Sequence, residues 1–222
     1  MGKLIVIEGT DGSGKSTQFK KLSQRLEAEG VAFQHLVFPR YDKESSALIR
    51  MYLGGEFGTK PTDVNAYAAS AFYAVDRYAS YKSDWGQWYE QGGLVLSDRY
   101  TTSNAVHQAS KESPEIWEAY WKWLSEFEYD RLGLPRPALT IYLDVPTEYT
   151  EKMMRKREMD TNTTADIHEQ DLSYLATCRR CGREAAAFFG WKIIECVSEG
   201  VMRSIEDIHE EIYRYVVQCL EE

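Results

Sequence analysis

The sequence predicts an α/β fold in three layers, with a central parallel sheet of about five strands between helices. Two observations predict it. Strand-like and helix-like stretches alternate along 222 residues, the order that parallel βαβ units impose. The apolar run Leu4-Ile5-Val6-Ile7 also leads at once into Gly9-Thr-Asp-Gly-Ser-Gly-Lys-Ser16, a glycine-rich turn between a strand and a helix. That octapeptide fits G-x-x-x-x-G-K-S/T, the P-loop.

Each element has its own signal. After the turn, Phe19, Leu22 and Leu26 recur at helical spacing and Gly30 suits the end of that helix. Val31 to Phe38 reads as the second strand, stopped by Pro39. Residues 45–58 read as a short helix closing on Gly54-Gly55. An alanine-rich helix follows from about Asp63 to Tyr81, open to close approach by another helix. Gly92-Gly93 turns the chain into the buried-type strand Leu94–Ser97, which ends at Asp98. Ser113-Pro114 starts a helix with an aromatic stripe, Trp117, Tyr120, Trp121, Leu124 and Phe127, read as core or subunit packing. Ala138 to Leu143 is a strand and Thr147 to Arg157 a charged helix. Met159 to Thr164 has no apolar period and reads as a mobile loop. A helix from about Ile167 to Phe189, a strand from Trp191 to Cys196 and a final helix with Ile205, Ile208, Ile212 and Val216 on one face complete a single domain over residues 1–222.

Composition bounds the function. An apolar fraction of 43% and a charged fraction of 27% are ordinary for a globular chain. A net charge of −9 argues against nucleic acid or an anionic membrane as partner, so an anionic substrate needs a local cluster of Lys and Arg. Fifteen Tyr and six Trp exceed what a core of this size needs, and some are expected at an interface or a base-stacking site. No run approaches the ~18 apolar residues of a membrane helix. The first strand begins without a secretory leader, so the expected location is the cytoplasm, with Cys178, Cys181, Cys196 and Cys219 as free thiols. Cys178-Arg-Arg-Cys181 has C-x-x-C spacing, but no second pair completes a metal site. Its two arginines are expected to lower the thiol pKa values.

The chemistry begins at the turn. Glycines at 9, 12 and 14 accept backbone angles that a Cβ forbids. The amides of Gly9, Thr10, Asp11, Gly12, Ser13, Gly14, Lys15, Ser16 and Thr17 are then free to converge on nucleotide phosphates at a helix start. Lys15 reaches the β/γ-phosphates and Ser16 offers a hydroxyl to Mg²⁺. Four other stretches add to this. Phe38-Pro39-Arg40 ends the second strand, where α/β sheets bind ligands; Arg40 is a bidentate phosphate ligand or a surface arginine. Tyr73 and Arg77 share a helix face and either stack on and read a base or pack as a core ring and a salt-bridged arginine. In Ser97-Asp98-Arg99-Tyr100, Asp98 is placed to orient Mg²⁺ and Arg99 to bridge phosphates, with Asn104 suited to a base edge. Arg155-Lys156-Arg157 is either a basic cluster on a closing lid or a solvated helix end.

Taken in order and spacing, the P-loop with Asp11 inside it, Phe38-Pro39-Arg40, Tyr73-x-x-x-Arg77, Asp98-Arg99-Tyr100 with Ser103-Asn104, and Asp166-Ile-His-Glu169 resemble the thymidylate kinase family from Lys3 to about Tyr215. The resemblance implies a P-loop kinase fold with a lid at about 155–168. It implies transfer of the ATP γ-phosphoryl group to dTMP for dTTP supply, with Mg²⁺ as cofactor, in a homodimer. It places Asp11 near the deoxyribose 3′-hydroxyl, Arg40 with Phe38 at the acceptor phosphate, and Tyr73 on the thymine face. Arg77 and Asn104 fall at the thymine edge with Gln108 beside them, and Arg99 between phosphates. Lys15, Asp98 and Arg99 are then catalytic, together with Arg155 or Arg157, because this P-loop carries no arginine. Two departures stand out: His107 occupies a position usually held by Tyr or Phe near the ribose 2′ carbon, and Ala165 replaces a common lid arginine. The rival readings are another nucleoside or nucleotide kinase of the same fold, and a nucleotide switch. Against the switch, the sequence lacks a guanine-reading N-K-x-D.

Overall fold

The computed structural model describes residues 1–161 and 171–222, the side chains of 156–161 excepted. Strands β1 (Lys3–Gly9), β2 (Phe33–Val37), β3 (Leu94–Asp98), β4 (Leu139–Asp144) and β5 (Lys192–Glu195) form one parallel sheet in the order β2-β3-β1-β4-β5. In register, Ile5 lies opposite Leu96 of β3 and Ile7 opposite Ile141 of β4.

Adjacent strand residues face opposite sides, so one apolar run serves two layers. Ile5 and Ile7 pack under α1 (Lys15–Ala28) and the C-terminal α9 (Ile205–Glu221), against Phe19, Leu22, Ile208, Ile212 and Val216. Leu4 and Val6 face the other way, into Phe38, Trp85, Tyr89, Val95 and Tyr100. Each such side chain contributes roughly 1.5–3 kcal/mol on burial. This two-sided burial is why the central strands read as unbroken hydrophobic runs and not as alternation.

Between β2 and β3 run α2 (Ala47–Leu53), introduced by a 3₁₀ turn at Glu44–Ser46, and α3 (Ala66–Ser80). The Asn65 side chain caps α3 by accepting from the Ala68 amide at 2.9 Å. The helix does not stop near Tyr81. It passes through a π turn at Tyr81–Trp85 into α4 (Gly86–Glu90), because Trp85 is wholly buried there beside Tyr89 and Tyr100. After β3, the chain is helical from α5 (Thr101–Ser103) through a π turn at Asn104–Gln108 to a 3₁₀ turn at Ala109–Lys111. The sequence gives no apolar period for this stretch, since buried polar side chains fill it.

A 3₁₀ turn at Pro114–Ile116 opens α6 (Trp117–Ser125), and a π turn at Glu126–Arg131 follows it. Trp117, Tyr120, Trp121 and Leu124 pack on Ala105, Ala109, Cys181 and Ala185, which makes the aromatic stripe core; Phe127 stacks on Trp123 at 5.3 Å. Helix α7 covers Thr147–Thr161, so residues 159–161 are helical where a loop is expected; the rest of that expected loop lies outside the described residues. Helix α8 (Leu172–Phe189) is capped by Asp171, which accepts from the Tyr174 amide at 2.9 Å, and ends at Gly190 in the left-handed region, φ 72°. Its expected start at Ile167 also lies outside the described residues. A hairpin of two-residue strands, β6 (Val197–Ser198) and β7 (Val201–Met202), precedes α9 and is too short for sequence periodicity to reveal.

Cys178 and Cys181 point into the core from α8. Burial pushes the Cys178 thiol up to about 12 and raises Cys181, which overturns the expectation of lowered pKa values. Arg179 turns to Asp144 at 2.7 Å and Arg180 to Glu184 at 3.2 Å, and burial outweighs the small lowering that Arg180 exerts on Cys181. Among the described residues, no helix is long and apolar enough to cross a membrane.

Candidate active site

The turn after β1 lies at the carboxyl end of the central strand. Gly9 and Gly12 hold φ values of 156° and 75°. A Cβ on Gly12 would lie 2.6 Å from the Thr150 carbonyl oxygen, so the turn fits beneath α7 only without a side chain there. Lys15 is 7% exposed and donates to the carbonyls of Gly9 at 2.8 Å and Thr10 at 2.9 Å. Burial and the nearby Arg99 hold its ammonium below the ordinary lysine range, against the pull of Asp11, Asp98 and Glu8. The Ser16 hydroxyl donates to Asp98 Oδ2 at 3.4 Å, while the buried Oδ1 of Asp98 has no hydrogen-bond partner.

Arg99 follows β3 with φ 68°, a left-handed conformation that costs a non-glycine residue of order 1–2 kcal/mol. The bend aims its guanidinium across the turn at Asp11, with Glu8 at 3.7 Å and the His107 Nε2 at 3.3 Å. Burial disfavours that charge, but Asp11, Glu8 and Asp98 outweigh it and hold the guanidinium pKa above its ordinary value. Glu8 is wholly buried and accepts from Thr102 at 2.7 Å and Ser103 at 2.6 Å, which ties the start of α5 to β1.

These groups open onto a cavity of about 490 Å³. Asp11, Gly12, Ser13, Gly14, Lys15, Ser16 and Thr17 line one end, with Asp98 and Arg99 beside them. Phe38, Tyr73, Arg77, Asn104, His107 and Gln108 also line it. Arg77 is 1% exposed and bound to the buried Glu128 through Nε at 2.7 Å and Nη2 at 2.5 Å. Burial opposes its charge, and Glu128 more than compensates and raises its pKa. The salt-bridged reading of Arg77 and its place at the cavity are therefore compatible.

Four expected residues stand apart from the lining. Gly9 and Thr10 contribute carbonyls to Lys15 from below. Arg40 is turned onto α3: its Nε donates to Asp76 at 3.2 Å, its Nη2 to Ser45 at 2.9 Å, and its Nη1 to Asp84. Arg40 thus forms ion pairs with two acids, Asp76 and Asp84. Arg155 is exposed on α7 and paired with Glu151 at 2.6 Å. The side chain of Arg157 lies outside the described residues, as do Ala165 and residues 166–169.

Sequence reasoning gave no role to Glu8, Asp76 and Glu128, the acids that hold Arg99, Arg40 and Arg77, and passed over the lining residues Leu53 and Met153. Asp76 sits inside the Tyr73–Arg77 motif and was within reach of the same helical spacing. Glu128 lies in a π turn where i, i+4 logic fails, and no local pattern marks it.

Comparison with known proteins adds relatives. A thymidylate kinase of Mycobacterium tuberculosis is 34% identical over 172 residues, 76% of this chain and 78% of that protein. A human thymidylate kinase is 26% identical over 215 residues, covering 95% of this chain and 88% of its own. A probable thymidylate kinase of Pyrococcus horikoshii is 28% identical over 218 residues, 97% and 96% of the two chains. The family model for thymidylate kinase matches residues 7–212, from the middle of β1 into α9, and on that match this chain belongs to the thymidylate kinase family.

Proposed function

We propose that the chain transfers the γ-phosphoryl group of ATP to dTMP, giving dTDP and ADP. Membership of the family makes it a kinase. The observation that carries the substrate reading is the shape of one cavity, which runs from the glycine-rich turn and Lys15 to Tyr73, Arg77 and Asn104. Donor phosphates and an acceptor base thus share one enclosure.

The residues act by positioning and electrostatics, which is most of what phosphoryl transfer requires. Amides of the turn hold the β- and γ-phosphates of ATP. Lys15 leaves the Gly9 and Thr10 carbonyls for the transferred group. Arg99 meets the acceptor phosphate once Asp11 releases it, and Tyr73 offers its ring to the base. Arg155 or Arg157, brought in by a lid at about 155–168, supplies charge at the transferred oxygens. Arg40 holds the loop carrying Phe38 and Tyr41 against α3.

A Mg²⁺ ion fits the oxygen donors present. The buried, unpartnered Asp98 Oδ1 and the adjacent Ser16 hydroxyl are hard ligands, and such sites take one or two protein oxygens plus substrate phosphates. When bound, the ion neutralises charge between the β- and γ-phosphates. Exposed Tyr67, Val75 and Tyr78 on α3 support a homodimer through that helix. Four free cysteines, three of them buried, suit a reducing cytoplasm.

Rates of ADP release with dTMP, dUMP, UMP and AMP as acceptors test the assignment. A clear preference for dTMP is expected. Equal rates would transfer the protein to another nucleotide, and acceptor-independent hydrolysis alone would make it a switch.

A further inference from the structure

We infer that Glu128 is a positioning residue that sets which pyrimidine edge the cavity accepts, by fixing the amide of Asn104 so that its oxygen, and not its nitrogen, is offered to the base. The inference rests on the cavity being the acceptor-nucleotide site.

Glu128 is wholly buried behind the cavity wall. Its Oε1 accepts from both Arg77 Nη2 at 2.5 Å and Asn104 Nδ2 at 3.1 Å, so these two side chains meet at one oxygen. Its Oε2 accepts from Arg77 Nε at 2.7 Å and Thr101 Oγ1 at 3.0 Å. The Asn104 nitrogen also donates to the Ser70 carbonyl at 3.3 Å. A primary amide has two N–H bonds, and both are used on partners that only accept. Reversing the amide would press its oxygen against a carboxylate and a carbonyl. Oδ1 is therefore the end left for the cavity that Asn104 lines.

Arg77 completes the pattern. Of its five N–H bonds, two go to Glu128 and one to the Tyr100 carbonyl at 3.3 Å. One N–H on each terminal nitrogen remains, and Arg77 also lines the cavity. A fixed donor beside a fixed acceptor complements a base edge with a carbonyl next to an N–H. Thymine and uracil carry that edge at C4 and N3. Cytosine carries the reverse, an amino group beside a bare nitrogen, and would set donor against donor and acceptor against acceptor. Only a carboxylate at position 128 holds both side chains this way. A glutamine there has one donor end, which faces Arg77 or turns Asn104 around.

The test is kcat/KM of the purified full chain for dTMP, dUMP and dCMP, in the wild type and in Glu128→Gln. The dTMP-to-dCMP ratio is expected to fall at least about tenfold, since a site built to hydrogen-bond a given edge discriminates through groups left unpaired. Thr101→Val removes another partner of Glu128 without touching Asn104 and is expected to keep the ratio. If Glu128→Gln slows all three nucleotides equally, or Thr101→Val lowers the ratio as much, Glu128 is merely structural and the inference is overturned. If Glu128→Gln does not fold, Glu128→Asp keeps a charge for Arg77 while withdrawing from Asn104, and the same ratio decides. A wild type with no dTMP turnover sinks the acceptor reading itself. Turnover with an unmoved ratio sinks only the role of Glu128.

Discussion

Replacing Arg77 with Met leaves Glu128 as a carboxylate with no exposure and no cation beside it. Both partners are within 2% of full burial, so water cannot screen the loss. Breaking a buried pair from one side costs about 3–5 kcal/mol, and for a chain of this length each kcal/mol is worth roughly 2–4 °C. Thermal unfolding of Arg77→Met should therefore shift down by roughly 10 °C. The double variant Arg77→Met, Glu128→Leu removes both charges and should regain most of that loss, with a coupling of about 2 kcal/mol or more in the double-mutant cycle. Its dTMP turnover should stay low, because the base-facing N–H bonds are gone. Simple additivity of the two single variants would refute the reasoning, since it would mean that the two groups do not depend on each other.

Lys15→Met should abolish turnover with a melting temperature close to that of wild type, because the ammonium bonds only two carbonyls of its own turn, Gly9 and Thr10, and ties no other element to it; retained phosphoryl transfer would contradict the cradle. Arg155→Ala with Arg157→Ala should lower kcat far more than dTMP affinity, on the ~10³–10⁵ scale of a lost transfer arginine, and a fall in affinity alone would remove the lid from the chemistry. Lys111 donates to the Tyr52 hydroxyl at 2.8 Å and the Val64 carbonyl at 2.9 Å, and burial lowers its pKa to about 7. The unfolded chain then binds the extra proton between about pH 7 and the ordinary lysine value, so stability should rise with pH across that window. Denaturant melts of wild type and Lys111→Met at pH 7 and pH 10 check this: the wild type should gain on the variant as pH rises, and an unchanged difference would refute it.

The sheet and the cradle were legible because each depends on local signals. Leu4 to Ile7 must be apolar to lie between two layers, and Gly12 must lack a side chain to pass beneath Thr150. The helical path over residues 101–111 was not, because Thr102, Asn104 and Gln108 are buried for what they bond and line, and polar burial has no 3.6-residue signature. Arg40 illustrates a different limit. Its position at a strand end was read correctly, but the direction of its side chain depends on Asp76 and Asp84, which are far away in the chain. Glu128 is the extreme case: more than twenty residues from Asn104 and Thr101 and fifty-one from Arg77, it becomes visible only when π turns bring the three together.

Three arginines described around the mouth of the sheet each have a counterion: Asp11 for Arg99, Glu128 for Arg77, Asp76 for Arg40. A small anion that approaches these guanidinium groups competes with a carboxylate at each one. A ligand that takes Arg99 from Asp11 must offset that separation through its other contacts, such as the N–H bonds that Arg77 keeps free beside Glu128. Matched charges at this mouth thus weigh against an anion too small to make those other contacts.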